Sequence, residues 1–243
     1  MTKTYRGDVL TTGGPSYESN VTRFAYVFKY ATAHADYLNT IITQSRRLSA
    51  ALIQERVDIA CIGGGPGSDV LGFLKFLLSQ ETKPQVTFFI LDREAAWGDT
   101  WADLDTIVSA EMKTSRNYFP IDVTDPKSYE KFNRPFRSHI FKMLYFLSEV
   151  YRHKGDVSKF LELCFRRMTT NALLVVLDFH HSELESWIDS CAKNSGLKTL
   201  RADDDYRIFM DSIEDKSALG KYRTKFGEPK LQAKVFIRVF MKT

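Results

Sequence analysis

The sequence predicts an α/β fold: a seven-stranded, mostly parallel sheet with an antiparallel hairpin at its C-terminal edge and a helical N-terminal extension. Three observations lead there. Short β-branched and aromatic runs alternate with segments whose apolar residues recur every three or four positions, as in βαβ units wound on both faces of one sheet. The first strand runs straight into Gly63-Gly-Gly-Pro-Gly67 and then into a helical pattern. The last two strand-like runs are joined by a charged, helix-free stretch, which suits a hairpin at a sheet edge. At 243 residues and 44% hydrophobic content, the chain can bury a full core without staples.

Residues 1–18 read as a loose leader with a turn at 11–16, and residues 20–54 as a helical cap broken near His34-Ala-Asp36. The rest, 55–243, forms the α/β domain. Strands are expected at 57–62, 86–91, 117–122, 138–146 and 171–178. A sixth lies at 197–200 or 206–210, and the last at 233–241. Helices fall between them at 69–78, 95–110, 156–169 and 184–194, the last closed by Gly196. Residues 215–231, with Gly220, Gly227 and Pro229, read as a mobile connection.

Composition narrows the function. Cys61, Cys164 and Cys191 lie far apart without metal-ligand spacing, so neither disulfides nor a metal site are expected, which fits a reducing compartment. The N-terminus has no apolar run resembling a signal peptide, and no stretch reaches the length of a membrane span. A cytoplasmic or nuclear protein is expected. The net charge of +4 is unevenly spread: residues 1–57 carry seven Lys/Arg against four Asp/Glu, and residues 215–243 carry eight against two. Basic ends around a mildly acidic centre suit an anionic substrate, or are simply solvated faces.

The glycine-rich turn has the strand-turn-helix context in which such a motif carries meaning. It ends Gly67-Ser68-Asp69, without the Gly-Lys-Ser/Thr of a P-loop. Counted from Gly63 and Gly65, the third position of a dinucleotide fingerprint is Ser68, and Asp69 at the helix start would repel a pyrophosphate. A nucleoside without phosphate, carrying a zwitterionic amino-acid end, meets neither objection.

Asp58 through Gly67 resembles the first motif of class I S-adenosylmethionine-dependent methyltransferases, and three further motifs follow in order over residues 55–180. The resemblance implies a Rossmann-like fold, S-adenosylmethionine as cofactor, and Gly63, Gly64, Gly65 and Gly67 beside it. Asp92, 25 residues after Gly67, closes the second strand with Arg93 next to it. A carboxylate there can accept both ribose hydroxyls. Asp122 and Val123 match the acid and following backbone that meet adenine in the family, although Asp122 can equally cap the Thr-Asp-Pro turn. Tyr145-Phe-Leu-Ser-Glu149 matches the fourth motif, placing Phe146 at the cofactor and Ser148 and Glu149 toward the acceptor. It lacks the Asp/Asn-Pro-Pro-Phe/Tyr signature of many amine-directed nucleic-acid enzymes and the Pro-Cys of cytosine-C5 enzymes. Its weak similarity is to ribosomal-RNA methyltransferase relatives.

Methyl transfer from a sulfonium asks the protein for positioning and, where needed, a base. Glu149, Ser148 and His180 are the leading candidates. Tyr151, His153, Asp178 and His181 also leave the ends of strands four and five, although the two adjacent histidines can each simply cap a loop or helix. Trp97 and Trp101 either flank the adenine or form one buried helix face. Tyr26, Phe28 and Tyr30 with Lys29, Arg46 and Arg47 offer stacking and phosphate pairing, or pack as an ordinary amphipathic helix. The expected function is methyl transfer to an N or O atom, with RNA as the preferred substrate. The alternatives are a small-molecule or protein methyltransferase, a catalytically idle binding subunit and, more remotely, a nicotinamide oxidoreductase.

Overall fold

A computed structural model describes residues 16–81, 83–108, 114–209, 220–230 and 232–243. The N-terminal helical region consists of α1 (Asn20–Tyr26), a π-helical turn (Val27–Ala31), α2 (Thr32–Gln44) and α3 (Arg46–Leu52). The chain continues through β1 (Arg56–Ile62), α4 (Ser68–Leu78), β2 (Gln85–Asp92), α5 (Trp97–Val108) and β3 (Thr114–Pro120). It follows with α6 (Pro126–Tyr129), β4 (Ile140–Leu144), α7 (Phe146–Val150), α8 (Lys154–Arg167) and β5 (Leu173–Phe179). Last come α9 (Ser182–Asn194), β6 (Leu197–Phe209), α10 (Gly220–Phe226) and β7 (Gln232–Lys242).

The sheet order is β3-β2-β1-β4-β5-β7-β6. Strands β1 to β5 pair in parallel, whereas β7 runs antiparallel between β5 and β6. The order reverses between β1 and β4, so the loops leaving their carboxyl ends diverge and open a crevice there. Both faces of the sheet are covered, as the near-continuous apolar runs of its central strands require. Ile59, Cys61, Val175 and Ile237 face one core with α2 and α4. Ala60, Ile62, Val176 and Phe236 face the other with α8 and α9. Gly72 lets α2 approach α4 closely, because a Cβ there would stand 2.7 Å from the Ala35 carbonyl oxygen.

Several boundaries differ from expectation. The N-terminal helices do not break near His34-Ala-Asp36, where tertiary packing keeps the ladder intact. The break is at Ser45, whose extended backbone and side chain cap α3 by accepting from the Leu48 N–H. The fourth strand ends at Leu144 because Tyr145 turns left-handed at φ 53°. The sixth strand is one strand spanning both expected runs. Register shifts between Thr199 and Arg201 and between Asp203 and Tyr206 absorb the polar middle, Arg201 to Asp205, that divides the two apolar runs. The stretch joining β6 to β7 is not helix-free, since α10 lies within it. Residues 1–15, most of the expected leader, and 210–219 and 231 lie outside the described residues.

Candidate cofactor and acceptor site

A cleft of about 500 Å³ opens at the carboxyl ends of β1, β2, β3 and β4. That size lies within the range of small-molecule sites. Its floor and walls are Gly63 after β1, Asp92 and Arg93 after β2, Asp122 and Val123 after β3, and Phe146 and Glu149 after β4. These seven residues were all singled out by sequence, and the parallel sheet brings their four loops together. Gly64, Gly65, Gly67, Ser148 and His180 are not among the lining residues.

The glycines show why the turn needs them. Gly63, Gly65 and Gly67 have φ of 63°, 47° and 84°, the left-handed region that side chains resist. Much of the space they leave is used by the protein itself. A Cβ on Gly63 would stand 2.5 Å from Phe146 Cδ2, and one on Gly67 2.1 Å from Trp101 Cε3. Trp97 and Trp101 are both buried, so the second reading of this pair, one buried helix face, is the one observed.

Asp92 joins the second strand to the turn. Its Oδ2 accepts the Gly65 N–H at 2.9 Å and its Oδ1 the Glu94 N–H at 3.0 Å. Each oxygen has a second lone pair. Burial holds the carboxyl above the usual range, while the two amide donors oppose that shift. Asp122 accepts from the Thr124 N–H and hydroxyl through Oδ1, and the cap of α6 is Asp125 instead. Beneath the turn, Asp69 is ion-paired with buried Lys142 of β4. Desolvation pushes Asp69 up to about 6 against the pull of that lysine.

At the carboxyl end of β4, Glu149 Oε1 accepts the Tyr17 hydroxyl at 2.9 Å. Ser148 donates its backbone N–H to Asp178 at 3.1 Å, and burial raises Asp178 to about 6 despite its amide donors. His180 Nδ1 lies 2.9 Å from Glu185 Oε1, and His181 caps α9 by accepting the Glu183 N–H, so both histidines serve the α9 entry. Tyr151 donates to Glu183, while His153 reaches the cleft wall.

Sequence reasoning did not single out Tyr17 or Glu18, nor Glu94 and Arg152, which also line the cleft. Tyr17 lay in a stretch with no helical or strand period, and no local signal marked it. It stands against Trp97 and Tyr26 with ring centroids 5.2 and 5.3 Å away. The charge of the lining is informative. Five carboxylates (Glu18, Asp92, Glu94, Asp122, Glu149) face two guanidiniums (Arg93, Arg152), an environment that resists a pyrophosphate and suits a sulfonium or ammonium centre. The residues present therefore fit S-adenosylmethionine better than a dinucleotide. Among the described residues no group of three or more His, Cys, Asp or Glu side chains is placed to hold a metal, and no helix is long and apolar enough to cross a membrane.

No protein-family model matches the sequence, and no curated protein matches it. Solved structures match its fold. A Pyrococcus horikoshii protein provisionally assigned as an RNA methyltransferase aligns over 100% of both chains, with 16% identity and a TM-score of 0.55. A Methanosarcina mazei SAM-dependent methyltransferase aligns over 80% of this chain and 96% of its own, with 12% identity and a TM-score of 0.51. The 16S rRNA methylase ArmA aligns over 99% of this chain and 95% of its own, with 12% identity and a TM-score of 0.50. The chain has the fold of class I methyltransferases. Identities this low establish the fold, not the substrate.

Proposed function

We propose that this chain is an S-adenosylmethionine-dependent methyltransferase acting on an N or O atom. The observation that carries the proposal is the acid-lined cleft at the β1/β4 switch point, where the glycine turn, Asp92, the Asp122-Val123 backbone and Phe146 converge. In this reading Asp92 holds the ribose hydroxyls, Asp122 and Val123 meet the adenine edge, and Arg93 flanks the ribose. Gly63 offers bare backbone beside the amino-acid end. Gly64, Gly65 and Gly67 shape the turn that presents it.

When bound, the cofactor supplies an electrophilic methyl on sulfur. The protein positions the acceptor in line with the carbon–sulfur bond and excludes water. Glu149, hydrogen-bonded to Tyr17 on the acceptor side, anchors the acceptor or takes its proton. Ser148 and His180 act as positioning groups, Ser148 through Asp178 and His180 through Glu185.

RNA is the first acceptor class in this proposal. Its support is the excess of basic residues in 1–57 and 215–243, together with two fold neighbours named for RNA. A small-molecule or protein acceptor is the second, favoured by the rings of Tyr145 and Phe179 that gather at the β4 and β5 ends. Calorimetry with S-adenosylhomocysteine and with NAD tests the cofactor, with binding expected for the first alone. An absence of heat with S-adenosylhomocysteine would sink the proposal. Labelled methyl transfer to cell extract, followed by nuclease or protease digestion, separates the acceptors. An RNA acceptor also demands binding that weakens steeply with salt.

A further inference from the structure

Beside the cleft, at the carboxyl ends of β4 and β5, the side chain of Lys230 sits among aromatic rings. Its Nζ is 4.7 Å from the Tyr145 ring centroid, 5.0 Å from Phe179 and 5.8 Å from Tyr30. The lysine backbone is held in place: its N–H donates to the Lys29 carbonyl at 2.8 Å, and its carbonyl accepts the Tyr37 hydroxyl at 3.2 Å. Among the described residues no carboxylate forms an ion pair with its ammonium. Ring faces and the Tyr145 hydroxyl at 3.4 Å surround that charge, and the buried Asp178 carboxylate acts on it from outside ion-pair range.

Two features mark this box as more than packing. Tyr145 adopts left-handed backbone at φ 53°, where a bulky side chain is strained. Strain of that kind persists only where the surroundings enforce it, and it collects at ligand sites. His34, 3% exposed, stacks on Tyr145 at 4.5 Å, and neither of its ring nitrogens has a hydrogen-bond partner. Burial and the nearby Lys230 and Lys142 ammoniums hold its pKa well below the usual imidazole range, so it is a neutral ring with an unused acceptor. Buried polar groups are seldom left so.

We propose that the box of Tyr30, Tyr145 and Phe179, backed by His34, is the acceptor subsite for a substrate bearing an aliphatic amine, and that Lys230 occupies it as an internal stand-in. The chemistry of the box selects the ligand class. Ring faces attract an ammonium, and a neutral imidazole nitrogen accepts an N–H that a lysine held at this depth does not supply. Desolvation lowers Lys230 to about 8 against the opposing charge of Asp178, and the same burial favours the neutral, nucleophilic form of an amine placed there. In transfer, the amine nitrogen's lone pair forms a bond to the methyl of S-adenosylmethionine as the carbon–sulfur bond breaks. That bonding pair stays on sulfur, and the proton leaves to water. The inference rests on the methyltransferase reading above, deepens its second acceptor class, and does not depend on RNA.

The test is calorimetric titration of the full chain with n-butylammonium, n-butanol and cytidine, in wild type, Lys230→Ala and Lys230→Ala/Phe179→Ala. Lys230→Ala is expected to bind n-butylammonium at least tenfold more tightly than wild type and than it binds n-butanol, with the gain lost when Phe179 is also removed. Equal binding of butanol, preferential binding of cytidine, or no saturable binding would overturn the inference. A wild-type measurement guards against misfolded variants. Acetylation of Lys230, followed by mass spectrometry, should accelerate as tetramethylammonium, which cannot itself be acylated, displaces it from the ring faces, and an unchanged rate would count against the box. S-adenosylhomocysteine titrated into the same samples separates the two claims. Cofactor binding without amine binding removes only the subsite, whereas amine binding without cofactor binding removes its role in methyl transfer.

Discussion

Replacing Asp92 with asparagine separates two jobs that one carboxylate performs. Both oxygens accept backbone amides, Gly65 at 2.9 Å and Glu94 at 3.0 Å. Asparagine offers one acceptor and one NH₂, so whichever way it turns, one backbone N–H meets another donor. Losing a hydrogen bond to a charged group costs about 1.5–3 kcal/mol. The neutral amide recovers part of this, because burial already disfavours the ionised acid. A net loss of about 1–2 kcal/mol follows, lowering Tm by roughly 2–8 °C at this chain length. If the remaining lone pairs hold ribose hydroxyls, losing one such bond weakens S-adenosylhomocysteine binding roughly 10- to 100-fold. Thermal melts give the first quantity and calorimetry the second. A lowered Tm with Kd unchanged within about twofold would show that Asp92 serves the turn and not the ligand, and the site assignment would fall with it.

Two further outcomes follow from the same geometry. Gly65→Ala adds a methyl 3.9 Å from Trp97 at φ 47°, whereas Gly67→Ala drives one to 2.1 Å from Trp101 at φ 84°. The first should cost only the left-handed strain, about 1–2 kcal/mol, and the second about 3 kcal/mol or more, because buried Trp101 must also move. Equal melting temperatures would refute this account of the turn. Asp178 is 0% exposed and has its pKa raised to about 6 by burial. A raised carboxyl contributes stability that is full below its unfolded value near 4 and is lost as pH climbs through 6. Asp178→Asn does not titrate, so its stability relative to wild type should rise from pH 4 to pH 7 by about 2–3 kcal/mol. A pH-independent difference in denaturant unfolding would show that the acid is not buried as described.

What local chemistry alone dictates was readable in the chain. Period-two and period-3.6 apolar patterns identified the sheet and its helices, and Gly63 to Gly67 between strand and helix marked the crevice. Asp92, Asp122 and Phe146 were readable too, because each lies at or within two residues of a strand's end, and parallel strands deliver their carboxyl ends to one edge. Contacts between distant segments were not readable. His34 sits in a run that reads as a helix break, yet it stacks on Tyr145, over a hundred residues away, within a continuous helix. Tyr17 gave no signal because only the fold brings it to Glu149. The glycines looked like space for a ligand, and only the packed structure shows Phe146 and Trp101 filling part of it. Lys230 looked like one of many basic residues near the C-terminus until the hairpin carried it to the ends of β4 and β5. Period and turn chemistry depend on neighbours in sequence, whereas desolvation and ring contacts depend on neighbours in space, which only the tertiary structure supplies.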